Sequence, residues 1–273
     1  MFTPIYNAGK LFKQYLLAPN HLSKVRIQNQ IGKKIFSKGI DLKNENGVQF
    51  TLDANDWITR ILIKEGGYEQ GSTALSKKIL LNGGLFIDVG ANFGLFTCMA
   101  AYNNPKVKVI AVEPNYKVLQ RLLYNIDQNG LNKNVKVMNT AVSTKFQLLT
   151  IDQPAADNMG TTVTRPGTNG LLSVACCPLD FICAENGIES VDLLKIDIEG
   201  KEFEILENFS FKKYEIKNII LEFNQENNIG FKEMHSFFMS KGYKMFSITG
   251  DELHDDKQGI PENNIWCVKQ YVK

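Results

Sequence analysis

The stretch Phe86-Ile87-Asp88-Val89-Gly90-Ala91-Asn92-Phe93-Gly94 constrains this chain more than any other. The apolar run Leu85-Phe86-Ile87 leads into an acid, then a turn of small residues, then the apolar segment Leu95 to Tyr102. That order predicts a buried strand, a glycine loop and a helix whose first backbone N–H groups face the loop. Gly90 permits a backbone angle closed to side chains, and Gly94 permits the helix to pack closely. Asp88, at the strand's end, is placed to receive a cationic or hydroxyl-bearing ligand group.

A second apolar strand, Val109-Ile110-Ala111-Val112, ends in Glu113-Pro114. In nucleotide-binding α/β folds an acid at this strand tip accepts hydrogen bonds from ribose hydroxyls. The dinucleotide fingerprint G-x-G-x-x-G would need glycine at Asn92 and a small residue at Leu95. A bulky Leu95 blocks approach of the backbone to pyrophosphate, which disfavours an NAD-dependent sugar oxidoreductase or epimerase. The order D-x-G-x-N-x-G followed by an acid resembles the pattern of S-adenosylmethionine-dependent methyltransferases.

A narrower marker follows at Leu193-Leu194-Lys195-Ile196-Asp197-Ile198-Glu199-Gly200. With the glycine loop and Val112-Glu113-Pro114-Asn115 it resembles the FkbM family of methyltransferases, from about Trp57 to about Val268. The resemblance implies a Rossmann-like class I methyltransferase fold: a mostly parallel seven-stranded sheet with helices on both faces. It also implies S-adenosyl-L-methionine as cofactor and methyl transfer to a hydroxyl, commonly on a sugar, a glycan or a polyketide-type natural product.

At 273 residues and 44% hydrophobic, the chain can bury one sizeable core plus an appendage. The division expected is a basic arm, hairpin and helices over 1–80, and a methyltransferase domain over 81–273. Residues 1–40 carry Lys10, Lys13, Lys24, Arg26, Lys33, Lys34 and Lys38 without an Asp or Glu. This arm reads as a lid or homodimer arm, or as a weak membrane-surface contact. A membrane-associated protein with a vestigial cofactor pocket is the non-enzymatic alternative. The partner expected is a small-molecule or glycan acceptor, not a nucleic acid. Cys98, Cys176, Cys177, Cys183 and Cys267 have no metal-ligand spacing and read as buried thiols in a reducing cytoplasm. No apolar run reaches membrane-spanning length, and the start lacks a signal-peptide pattern.

Asn44-Glu45-Asn46-Gly47 predicts a hairpin, Trp57 to Ile63 a helix, and Ser72 the cap of a helix running to Leu81. Asn115 caps a helix stopped at Gly130. Strands are expected at Val135–Asn139, Phe146–Ile151, Ser173–Cys177, Val191–Asp197, Asn218–Asn224, Tyr243–Ile248 and Ile265–Val268. Candidate cofactor contacts are Glu69, Asp88, Gly90, Ala91, Asn92, Gly94, Glu113, Asn139 and Asp197. Glu69 lies just ahead of the glycine loop, at the cofactor's methionine end, and Asn139 at a strand tip beside the adenine. Asn158, in the polar loop from Asp152 to Gly170, and Glu222 are candidate substrate contacts.

Asp197, Glu199 and Lys195 are the catalytic candidates. A sulfonium leaves without a metal, so the chemistry needs positioning and one base or electrostatic stabiliser. Buried in an apolar strand, Lys195 either carries a depressed pKa and serves as a base or pairs with Asp197 or Glu222. No metal is expected, although Asp197 with Glu222 resembles, in placement, the magnesium-holding carboxylates of catechol-type O-methyltransferases. His254, in a charged loop, is a distant candidate base.

Overall fold

The computed structural model describes residues 1–4, 39–53, 56–151, 164–165, 172–198, 200–223, 230–255 and 264–271. The chain begins with β1 (Phe2–Pro4), β2 (Ile40–Asn44) and β3 (Gln49–Leu52), followed by α1 (Trp57–Glu65) and α2 (Gln70–Ile79). Next come β4 (Gly84–Val89), α3 (Leu95–Ala101), β5 (Val107–Val112), α4 (Tyr116–Gln128) and β6 (Val135–Met138). A small sheet uses β7 (Ala141–Val142), β8 (Gln147–Ile151), β9 (Thr164–Arg165) and β10 (Leu172–Cys177). Then follow α5 (Leu179–Glu185), β11 (Ser190–Val191), β12 (Leu193–Ile196), α6 (Glu202–Glu207) and β13 (Glu215–Ile216). The chain closes with β14 (Asn218–Glu222), α7 (Phe231–Ser240), β15 (Tyr243–Ser247) and β16 (Asn264–Lys269).

The main sheet has seven strands in the order β15-β16-β14-β12-β4-β5-β6, and only β16 runs antiparallel to its neighbours. Strand order reverses between β4 and β12, the place where such folds open a crevice at the carboxyl ends of the strands. Side chains alternate between two cores. Phe86, Val109, Ala111, Leu193 and Ile220 face one, shared with α3 and α4. Ile87, Ile110, Leu194, Ile219 and Leu221 face the other, covered by α5, α6 and α7. Helices thus cover both faces, as the resemblance implied.

Register then fixes where the charges fall. Lys195 stands opposite Asp88 on one side and Ile220 on the other, and Asp88 stands opposite Ala111. The period-2 alternation carries Glu113, Asp197 and Glu222 to the same face, at the carboxyl ends of their strands.

The hairpin of β2 and β3 forms where expected: Asn44 Oδ1 accepts from the N–H groups of Asn46 and Val48 at 3.0 and 2.8 Å. Its Leu42, Phe50 and Leu52 join the same core as Phe93 and Leu122. Buried Asn125 ties the parts together, accepting from Thr51 N at 2.8 Å and donating to Phe93 O at 2.9 Å. The hairpin is therefore anchored to the glycine loop through α4.

Two expectations need correction. The helix α2 starts at Gln70 after Glu69, which adopts a left-handed φ of 45°; Ser72 lies inside the helix rather than at its cap. The strand expected over 191–197 is interrupted at Asp192, whose carboxylate accepts from Leu85 N at 2.7 Å and pairs with Lys217 at 2.8 Å. All five cysteines are buried free thiols. Among the described residues no helix is long and apolar enough to cross a membrane.

Candidate active site

After β4 the chain turns within four residues. Gly90 has φ 78° and Asn92 φ 51°, and the N–H groups of Gly90 and Ala91 both donate to Val112 O at 3.0 Å. A Cβ at Gly90 would overlap the backbone oxygen of Asp197. Gly94, with φ 92°, opens α3, and a Cβ there would lie 2.6 Å from Leu122 Cδ1. Both glycines are therefore dictated by close approach as well as by backbone angle.

Above the loop lies a cleft of about 490 Å³, within the range of small-molecule sites. Gly90, Ala91 and Asn92 line it, as do Glu69, Glu113, Lys195, Asp197 and Glu222. The cleft thus gathers candidates that stand far apart in sequence.

Glu113, only 5% exposed, clips the loop from below. Its Oε2 accepts from Asn92 N at 2.9 Å and its Oε1 from Asn115 N at 2.8 Å. Burial pushes its carboxyl up to about 7, against the opposing pull of those two N–H groups. Each carboxylate oxygen has a second acceptor site, so the group can still receive ligand hydroxyls.

Asp88 is placed differently from the expectation. It lies behind the loop, 1% exposed and outside the cleft lining. Its Oδ2 accepts from Thr97 Oγ1 at 2.6 Å, while Oδ1 has no hydrogen-bond partner. Burial raises its pKa, and nearby Lys195 opposes the rise. Asn139 also does other work: its Nδ2 donates to Glu113 O at 2.8 Å and Pro114 O at 3.1 Å, joining two strand tips. Neighbouring Thr140 lines the cleft instead. Gly94 lies outside the lining, at the base of α3.

Lys195 is 3% exposed, and its Nζ sits 2.9 Å from Asp197 Oδ2 and 4.5 Å from the centre of the Phe96 ring. Burial, the largest single influence, would lower its pKa; the carboxylates of Asp197, Glu69 and Asp88 together outweigh it and raise the pKa. Of the two readings of Lys195, the geometry selects the paired ammonium over the depressed-pKa base.

Glu69 completes the arrangement from outside the main sheet. Its Oε2 accepts from Asn264 Nδ2 at 2.9 Å, and the same nitrogen donates to Ser72 Oγ at 3.1 Å. Burial raises the Glu69 pKa, with Lys195 pulling it down. A non-glycine residue held at positive φ beside a cleft marks a position that the surrounding structure over-determines.

Asn158 and Glu199 lie outside the described residues, as do the basic side chains from Lys10 to Lys38. His254 is described and does not line the cleft. Sequence reasoning missed Asn264, for which no local signal exists at a separation of 195 residues. It also missed Trp57 as a lining residue, paired edge-on with Tyr68 at 6.0 Å. The third omission is Glu202, whose Oε1 accepts from the N–H groups of Ile198 at 2.7 Å and Gly200 at 3.2 Å. An acid in the first turn of a helix just past a glycine was its available signal. Carboxylate oxygens of Asp197, Glu202 and Glu222 lie within 4.8 Å of one another.

Residues 88–245, more than half of the chain, match the model of the methyltransferase FkbM domain. Methyltransferase sdnD of Sordaria araneosa is 26% identical, over 60% of this chain and 74% of that protein. A human methyltransferase 10 domain containing protein superposes with a TM-score of 0.51 at 11% identity, covering 93% of this chain and all of that one (100%). TrmK of M. capricolum, solved with S-adenosylhomocysteine, superposes with a TM-score of 0.41 at 18% identity, covering 72% of this chain and 66% of that one. By the extent of the domain match, supported by the fold, this chain belongs to the FkbM methyltransferase family.

Proposed function

We propose that the chain is an S-adenosylmethionine-dependent O-methyltransferase acting on a hydroxyl of a sugar, glycan or natural-product acceptor. The observation that carries this reading is the charge of the cleft. Glu69, Glu113, Asp197, Glu204 and Glu222 line it against two ammonium groups, Lys195 and Lys201. Both ammonium groups are engaged, Lys195 with Asp197 and Lys201 with Glu204, each at 2.9 Å. The surplus of carboxylate fits a ligand of net positive charge, with a sulfonium and an ammonium against one carboxylate, and it repels the pyrophosphate of a dinucleotide. The cleft volume and the close-packed Gly90 fit the same ligand.

When bound, S-adenosylmethionine supplies a methyl group on a sulfonium, open to in-line displacement by an acceptor oxygen. Glu113 accepts the ribose hydroxyls and fixes the loop through Asn92 N. Glu69 and Asp197 flank the methionine end, with protonated Lys195 holding Asp197 in place and adding no base of its own. The hydroxyl proton passes to Asp197 or Glu199. Glu222, with Asn158, orients the acceptor. In this reading residues 81–273 form the catalytic unit, and the segment before them supplies Trp57, Tyr68 and Glu69 to the cleft wall.

An acceptor screen with S-adenosylmethionine labelled in its methyl group tests the proposal. Label is expected in hydroxyl-bearing sugars or polyketides and not in their deoxy counterparts. Transfer confined to amines, thiols or carbon would contradict the assignment to oxygen.

A further inference from the structure

We infer that Asp197, Glu202 and Glu222 form a binding site for a hard divalent cation of the magnesium or manganese type. The three come from the tip of β12, the first turn of α6 and the end of β14, and the fold brings one oxygen of each within 4.8 Å of the others. Oxygens on opposite sides of a six-coordinate magnesium stand about 4.2 Å apart, and across calcium about 4.8 Å. Oxygens this close can share one coordination sphere with little movement of their side chains, and three carboxylates with waters suit a hard cation rather than a soft one.

A second observation points the same way. Glu202 is only 1% exposed, and its Oε2 is buried without a hydrogen-bond partner. Its other oxygen is held by Ile198 N and Gly200 N, which fixes the carboxylate rather than neutralising it. A buried acceptor left in this state calls for either a proton or a cation.

The surroundings favour the cation. A second cavity, of about 220 Å³, adjoins the cleft and shares Lys201, Glu204 and Glu222 with it. Glu202, Glu207 and Glu233 line its walls, so its field is strongly negative. Lys195 holds Asp197 Oδ2 at 2.9 Å, and the carboxylate has a second oxygen to offer a cation. The cation would stand at the junction of the two cavities, beside the acceptor end of the cleft. Its role in holding an acceptor oxygen rests on the proposed function, whereas its binding does not.

Manganese titration of the full chain, with free metal read by electron paramagnetic resonance and no cofactor present, tests the site. One saturable site that magnesium displaces is expected. Glu222→Gln and Glu202→Gln are each expected to weaken it roughly tenfold or more. Manganese that stays free up to millimolar concentration would overturn the inference and leave protonation of Glu202 as the answer to its buried oxygen. Undiminished binding in both variants would overturn it as well. Glu222→Gln leaves the loop contacts of Glu202 intact, so its result stands even where Glu202→Gln fails to fold. S-adenosylmethionine titration of the same samples without metal is the separate check on the cofactor reading, whose failure would leave the cation result standing.

Discussion

The backbone oxygen of Asp197 lies so close to Gly90 that a Cβ on residue 90 would overlap it. Two sequence motifs separated by more than a hundred residues thus meet backbone to backbone, and the cleft floor depends on that contact. Gly90→Ala adds the overlap to the strain of a left-handed φ of 78°. The expected loss is at least about 2 kcal/mol of stability, or displacement of the loop with loss of cofactor affinity. Thermal melting together with calorimetry reads both, and an unaltered protein would remove the contact from the account.

Glu113 predicts a pH dependence with a definite sign. Its folded pKa, about 7, exceeds its ordinary 4.5, so the folded chain keeps a proton that the unfolded chain releases between these values. Stability of the ligand-free protein should therefore fall as pH rises through that window, by up to about 3 kcal/mol. Ribose hydroxyls favour the ionised form, so S-adenosylmethionine affinity should rise over the same range. Glu113→Gln should flatten both curves; chemical denaturation and calorimetry at several pH values provide the measurements.

Lys195 balances three carboxylates, so its removal should cost more than one lost ion pair. Lys195→Met leaves Asp197, Glu69 and Asp88 clustered in a buried setting, at an expected cost of about 3–5 kcal/mol. Because the ammonium remains charged across neutral pH, the wild-type pH–rate profile should show no limb from this lysine. Such a limb, absent from an active Lys195→Arg variant, would restore Lys195 as a base.

Asp197→Asn keeps the shape of the side chain and alters its charge beside Lys195. Turnover should fall by roughly 10²–10⁴, the range for loss of acid–base help, while circular dichroism stays native. Near-wild-type turnover would exclude Asp197 as base and shift attention to Glu199.

The sheet, the glycine loop and the hairpin were legible because each is written locally. Apolar runs such as Val109–Val112 specify strands, and Asn-Gly between two such runs specifies a turn. The charges that end β5, β12 and β14 could be read as neighbours once parallel strands were assumed. What could not be read was how those charges are used. The alternation gives Asp88 and Glu113 the same face, yet Asp88 lies one residue inside its strand, behind the loop, and Glu113 just past the end of its strand, in the cleft wall. Whether Lys195 pairs or loses its proton depends on Glu69, brought in by α2 from outside the sheet. Asn264 reaches Glu69 across a separation that no local pattern encodes.

Calorimetric titration of the purified chain with S-adenosylmethionine, and in parallel with NAD, tests the central claim most directly. The account predicts one S-adenosylmethionine site that Glu113→Gln weakens by roughly 1–3 kcal/mol, with no NAD binding. Saturable NAD binding, or no S-adenosylmethionine binding by a folded protein, would contradict it.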